Sequence, residues 1–282
     1  MRGLWIAVLV TGGRAIDSAI AGSDAATALT WLALAGWVVG VGCMAFPAVT
    51  SLTATRAIVP LAVPLAAVAW IGGADPVDGA LFVGSAVLTA VAAGSSPIGR
   101  AFVQAAAYGD EDRHLLRPPL LFAMVAATLW LIWSGLVTTA VVVTAREHAV
   151  PAVVAWIVAV VIGAVLLPRW HRLSRRWLVL VPAGIVVHDH VALAETLMVP
   201  RRIVSAIGLA LASTDAADLT GGTPGHAIEI RTSEAITAVL GAVAAERAGA
   251  AIHLTGFLVA PTRPGRVLAA AASRRLPVGV PA

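Results

Sequence analysis

The chain changes its hydrophobic pattern once. Long apolar stretches follow one another as far as Leu167, and beyond Trp177 apolar and polar positions alternate. Five stretches stand out in the first part: Thr30 to Phe46, ended by Pro47; Ala57 to Gly72, with Pro60 and Pro64 inside; Ala80 to Ala93; Pro119 to Thr144; and Val150 to Leu167. A spanning helix takes about 20 apolar residues, so these read as membrane segments, the long fourth one tilting or reaching past the bilayer. Prolines are tolerated in such helices because neighbouring helices satisfy the carbonyls they free. Gly36 and Gly40 form a GxxxG pair, which lets a second helix approach closely.

Residues 1–28 carry two readings. Arg2 precedes a short apolar run, Leu4 to Val10, and Ala19-Ile20-Ala21 has the small-residue spacing of a cleavage box, the pattern of a secretory signal. The same stretch reads as a poor spanning helix, Gly3 to Ala21, holding Arg14 and Asp17. Three residues apart, these share one helix face and form a candidate charge pair, a mark of function inside a membrane. In an interfacial or extracytoplasmic segment they are solvated charges. Counting this helix gives six membrane segments; omitting it gives five.

Between the two patterns lies Pro168 to Trp177, with Arg169, Arg172, Arg175 and Arg176 between Trp170 and Trp177. Arginines flanked by tryptophans directly after an apolar run mark the cytoplasmic edge of a membrane. With that end inside, Arg56, Arg100, Arg113, Arg117 and the cluster are cytoplasmic, and Arg146 alone is outside. The connection Gly94 to Pro118 is then a cytoplasmic loop. Its Asp110, Glu111, Asp112 and Arg113 form a solvated turn and a candidate contact for a partner. Carboxylates beside His114 also offer hard ligands to a divalent ion, without EF-hand spacing.

In the tail, Trp177–Val181 and Ile185–His190 flank the turn Pro182-Ala183-Gly184 and predict a hairpin. Glu195–Val199, Arg202–Leu211, His226–Arg231 and Ile252–Val259 predict further strands. Ser233 as N-cap, apolar residues at 236, 239, 240 and 243, and Gly249 as stop predict an internal helix. Pro261 to about Arg275 predicts a closing helix, capped by Thr262 with Pro264 in its first turn.

Composition agrees with the pattern. Of 282 residues, 59% are hydrophobic and only 12% charged, against about 25% in a soluble domain. All 19 basic residues are arginine, 12 of them after Pro168, as suits a tail facing an anionic leaflet. The single cysteine, Cys43, excludes an internal disulfide and reads as a small apolar helix residue.

The hairpin WLVLVPAGIVVHDH, the strand RRIVSAI and the closing FLVAPTRPGRVLAAAASRR resemble bacterial PH-like domains. Segments such as SLTATRAIVP are similar to multi-pass actinobacterial membrane proteins that carry one. The resemblance implies a binding or assembly module and carries no lipid-site residues with it. The expected architecture is an α-helical integral membrane domain of five to six helices (1–168), a basic juxtamembrane segment (169–177) and a cytoplasmic α+β PH-like domain (178–282).

Chemistry is sparse. His188 and His190 share a strand face, with Asp189 on the other. Two histidines begin a zinc site, but such a site takes a third and usually a fourth ligand, so a solvated strand face is the plainer reading. No nucleophile elbow, HExxH or phosphate-binding glycine motif is present, and no cofactor or metal is expected. Nucleic acid is excluded as a partner, since the arginines follow no groove and no stacking platform accompanies them. The arginines at 169, 172, 175 and 176 serve as a topology anchor or hold anionic lipid head groups. The expectation is a non-enzymatic protein of the inner (plasma) membrane, an assembly or accessory subunit contacting lipids and other membrane proteins. The alternative is a transporter or lipid-handling subunit, its path marked by Arg14 and Asp17 or by Pro60 and Pro64.

Overall fold

A computed structural model describes residues 1–21, 26–241 and 249–279. It divides into two compact units, Met1–Gly99 with Ala126–Trp170, and Arg100–Val125 with His171–Ala282.

The first unit is helical. Five segments are long and apolar enough to cross a membrane: Ala26–Ala45 (α2), Val49–Ile71, Pro76–Gly94 (α5), Leu120–Ala145 (α7) and Ala149–Ser174 (α8). The second of these is α3 (Val49–Ile58) and α4 (Ala62–Ile71), divided by a 3₁₀ turn at Val59–Leu61. The break holds Pro60, and Pro64 follows inside α4; their missing N–H groups interrupt the helical ladder. Just before the break, in the last turn of α3, the Ala57 carbonyl accepts a bond from Trp130 Nε1 of α7, 2.9 Å away. Asp75 caps α5 by accepting from the amides of Val77 and Asp78.

Residues 2–19 form a further helix, α1 (Arg2–Ala19), which folds into this bundle. Trp5, Val8, Gly12 and Ala15 lie at helical spacing and are its buried face. That face meets α5. A Cβ at Gly12 would stand 2.8 Å from the Phe82 ring, and Thr11 Oγ1 lies 2.9 Å from Ser85 Oγ. The cleavage-box residues Ala19–Ala21 end this helix.

The second unit is a pair of four-stranded sheets over one core. β1 (Asp112–Leu115), β2 (Arg176–Val181), β3 (Gly184–Asp189) and β4 (Leu197–Pro200) pair antiparallel in that order. The other sheet runs in the order β5 (Val204–Leu209), β7 (Ile228–Val239), β8 (Ala251–Val259), β6 (Ala217–Asp218), with β6 parallel to β8. Gly184 makes the β2–β3 turn possible. Its φ is +152°, and a Cβ there would run into the Val199 carbonyl. Leu178, Leu180, Ile185 and Val187 of the first sheet share a core with Ile207, Ile230 and Phe257 of the second, closed by Val267 and Ala271 of α9 (Pro264–Ser273).

Three expectations are corrected here. The stretch from Ser233 is strand, not helix. β7 continues to Val239, with Ile236 opposite Leu254 and Ala238 opposite Ile252. Ile236, Thr237 and Val239 are β-branched, and the pairing with β8 outweighs their chance helical spacing; Val243 lies outside the described residues. The connection 94–118 is not only a loop. It holds α6 (Ser96–Ala105) and the strand β1, whose four residues carry too little pattern to announce a pairing with β2, some 60 residues on. At α9, Arg263 takes the N-cap without a side-chain bond, while Pro264 does occupy the first turn.

Candidate functional site

The richest side-chain constellation lies where α8 gives way to β2. Strand alternation puts Arg176, Leu178 and Leu180 on the core face and Trp177 and Val179 on the other. The β2–β3 register sets Trp177 opposite His188 and Arg176 opposite Asp189. Two different structures result, one on each face.

On the outer face the aromatic groups form a ladder. The Trp177 and His188 rings stack at 4.7 Å and 19°, and His190 stands edge-on to His188 at 4.4 Å. The Arg113 guanidinium lies over Trp177, 5.7 Å from the ring centre. His188 is fully engaged. Arg175 Nη2 lies 3.3 Å from Nε2 and Thr196 Oγ1 lies 3.0 Å from Nδ1. Arginine is only a donor, so Nε2 accepts and the ring proton sits on Nδ1, donated to Thr196. Burial first, then the charges of His190 and Arg175, push His188 down to about 4. Burial and Arg175 lower His190 as well. The ladder is therefore a neutral, donor-rimmed aromatic face at pH 7. Both His188 nitrogens are bonded, and among the described residues no group of three His, Cys, Asp or Glu could hold a metal.

On the core face Arg176 and Asp189 form a forked ion pair, Nε–Oδ1 and Nη2–Oδ2 both 2.7 Å. Arg176 Nη1 also donates to the Arg117 carbonyl at 2.7 Å, and Asp189 Oδ1 accepts from the amides of Val191 and Ala192. Arg176 is 1% exposed and Asp189 2%. Arg176 is thus withdrawn from the expected membrane-surface cluster and serves the fold. Of the other three, Arg169 and Arg172 are exposed and Arg175 is half-buried against His188.

The acidic stretch at 110–113 is a joint inside the second unit. Glu111 Oε2 pairs with Arg113 at 2.7 Å, Asp112 Oδ1 with Arg100 at 3.0 Å, and Asp110 Oδ1 with Arg274 of α9 at 2.7 Å. Gln104 of α6 bonds the Glu111 carbonyl and the Arg113 amide. Its carboxylates are taken by arginines. His114 beside them is buried with Nε2 3.3 Å from Asp112 Oδ2, and that burial lowers its pKa.

The paired residues expected in the helical unit separate. Gly40 is buried, and a Cβ there would run into the Trp5 ring, whereas Gly36 is exposed with nothing near it. The close approach expected of the GxxxG pair is therefore made at one glycine. Arg14 and Asp17 are both exposed, and no ion pair joins them. Three features carried no signal in the sequence. One is the reciprocal pair Trp5 and Trp37, each indole donating to the other's carbonyl at 3.0 and 2.9 Å. Another is Arg2, which donates to the Met44 carbonyl at 3.2 Å. The third is Arg231, held between buried Glu229 and exposed Asp215, which raise its pKa. Compared with family models, curated proteins and solved structures, the chain matches none.

Proposed function

We propose that this is a non-enzymatic multi-pass protein of the inner membrane, acting as an assembly or scaffold subunit through its helices and a cytoplasmic domain. The observation that carries the reading is the two-segment build of the second unit. β1 is encoded between α6 and α7, and β2 follows α8, yet the two pair along all four residues of β1. The first sheet thus draws its strands from both sides, in sequence, of the apolar pair α7 and α8. Such a domain is interleaved in sequence with the helices rather than appended after them, as suits a subunit of a membrane assembly. The distribution of arginine supports a cytoplasmic tail. Two four-stranded sheets with a C-terminal helix support the PH-like reading, with β1 as an added feature.

Affinity isolation from native membranes through a tag at Ala282, with mass spectrometry of the proteins recovered, tests this. A stoichiometric membrane partner is expected. A lone monomer in mild detergent overturns it. A second reading, lipid handling, is favoured by an apolar groove between α1 and α2 whose lining includes Trp5, Trp37 and Arg2.

A further inference from the structure

Helices α1 and α2 meet through two tryptophans. Trp5 and Trp37 exchange indole-to-carbonyl bonds, and Gly40 leaves room for the Trp5 ring. The bond from Arg2 to Met44 sets the first turn of α1 beside the last turn of α2, so the helices run antiparallel. Between them lies a groove of about 410 Å³, walled by Trp5, Ile6, Trp37, Val41 and Met44, with Arg2 on its lining.

The wall is apolar except at Arg2. That side chain is exposed and spends one bond on the Met44 carbonyl, and no acidic residue lines the groove. A guanidinium has five N–H donors, so most of its donors and its whole charge remain for a ligand. We propose that the groove holds one anionic phospholipid, an acyl chain along the indoles and the phosphate on Arg2. Charge complementarity selects this occupant. An apolar wall ending in one cation has the amphipathic order of an anionic lipid, and arginine takes phosphate in a fork. A transmembrane helix would match the wall and leave the cation unmet. The site rests on the membrane placement proposed above, and it supplies a lipid-binding role that the scaffold reading does not.

The test uses the full chain, purified in mild detergent and supplied with mixed micelles of phosphatidylglycerol or phosphatidylcholine, with bound lipid counted by native mass spectrometry. One phosphatidylglycerol per chain is expected, in preference to phosphatidylcholine. Arg2→Gln lowers its retention about fivefold, the factor that one arginine supplies at an anionic surface. Val41→Trp fills the groove and lowers retention of both lipids, while inorganic phosphate does not compete. Equal retention of the two lipids, unchanged retention in both variants, competition by phosphate, or a protein dimer in place of lipid overturns the site. Alkaline extraction of membranes, run on the wild type and each variant, separates the two claims. Release of the wild type sinks the membrane placement and the site together, whereas an integral protein that retains no phosphatidylglycerol sinks the site alone. Should Arg2→Gln fail to insert, the apolar Val41→Trp decides.

Discussion

The two units solve one problem with different donors. In the helical unit, bonds between distant helices come mainly from indoles. Trp5, Trp37, Trp130 and Trp133 each donate to a main-chain carbonyl of another helix, and Trp156 of α8 to Thr144 Oγ1 of α7. In the sheet unit the same work falls to arginine. Arg176 reaches the Arg117 carbonyl, Arg117 reaches that of His226, and Arg201 that of Arg275. An indole is neutral and carries one donor on a large apolar body, so it can bond a carbonyl in hydrocarbon without burying a charge, which is costly there. In the core of the sheet unit Arg176 is met by the carboxylate of Asp189. Neutral indole donors are what apolar surroundings of the helical unit would favour; Arg2 and Arg56, which donate to the carbonyls of Met44 and Ala93, depart from that pattern.

The largest effect expected from this contrast is at the buried ion pair. Arg176→Met leaves Asp189 charged and uncompensated, which costs about 3–5 kcal/mol, so the sheet unit loses its protease resistance and its strand signal in circular dichroism. Arg176→Met with Asp189→Leu recovers much of that, short of the two amide bonds that Asp189 also accepts. A single variant as stable as the wild type would remove the pair from the account. In the helical unit the matching test is steric. Gly40→Ala drives a methyl group into the Trp5 ring and costs about 1–3 kcal/mol, read as a lower melting temperature in detergent. Gly36→Ala, four residues away in open space, changes stability by less than about 0.5 kcal/mol. Equal effects at the two glycines would mean that Trp5 does not pack on α2.

The same contrast explains what could be read in advance. The five apolar helices were legible because a bilayer imposes length and composition on each segment separately. The β2–β3 hairpin was legible because its turn and alternation are local. What stayed hidden depends on distant pairing. β1 has four residues, two of them charged, and becomes a strand only beside β2. Ser233 to Val239 satisfies a helical template and a strand template alike, and only β8 decides between them. Arg176 sits among arginines that belong to the helix end, and one step of strand alternation sends it into the core. The chemistry of the Trp5–Trp37 pair was invisible because a tryptophan in an apolar run looks the same whether it faces lipid or a neighbour.

Smaller still is the effect of pH on the outer face of the first sheet. His188 titrates near 4 when folded, against about 6.5 in an unfolded chain. A depressed histidine contributes stability that is present above the unfolded value. It is lost as pH falls, since the unfolded chain then binds a proton that the folded one refuses. The sheet unit should therefore lose stability between pH 6.5 and about 4, with His114 and His190 adding in the same direction. His188→Gln keeps the bond to Thr196 within reach and flattens part of the slope in thermal melts across that range. A slope identical to that of the wild type would mean that the stacked ring titrates normally.

The least effect on stability is expected at Asp110, and it is the one that bears most directly on partners. Asp110 is 74% exposed and pairs with Arg274, itself 18% exposed. A surface pair of this kind contributes about 0–1 kcal/mol, so Asp110→Asn should leave the melting curve almost where it was. Arg113→Gln, by contrast, removes the pair with Glu111 and the cation over Trp177 together, so its effect on recovery of a partner cannot be separated from its effect on the fold. Asp110→Asn therefore probes the surface by itself. If this edge of β1 meets the proposed partner, the variant isolates less of it from native membranes at unchanged stability. If recovery is unchanged while the pair with Arg274 is lost, the acidic stretch serves only to join β1 to α9, and the partner must be sought on another face.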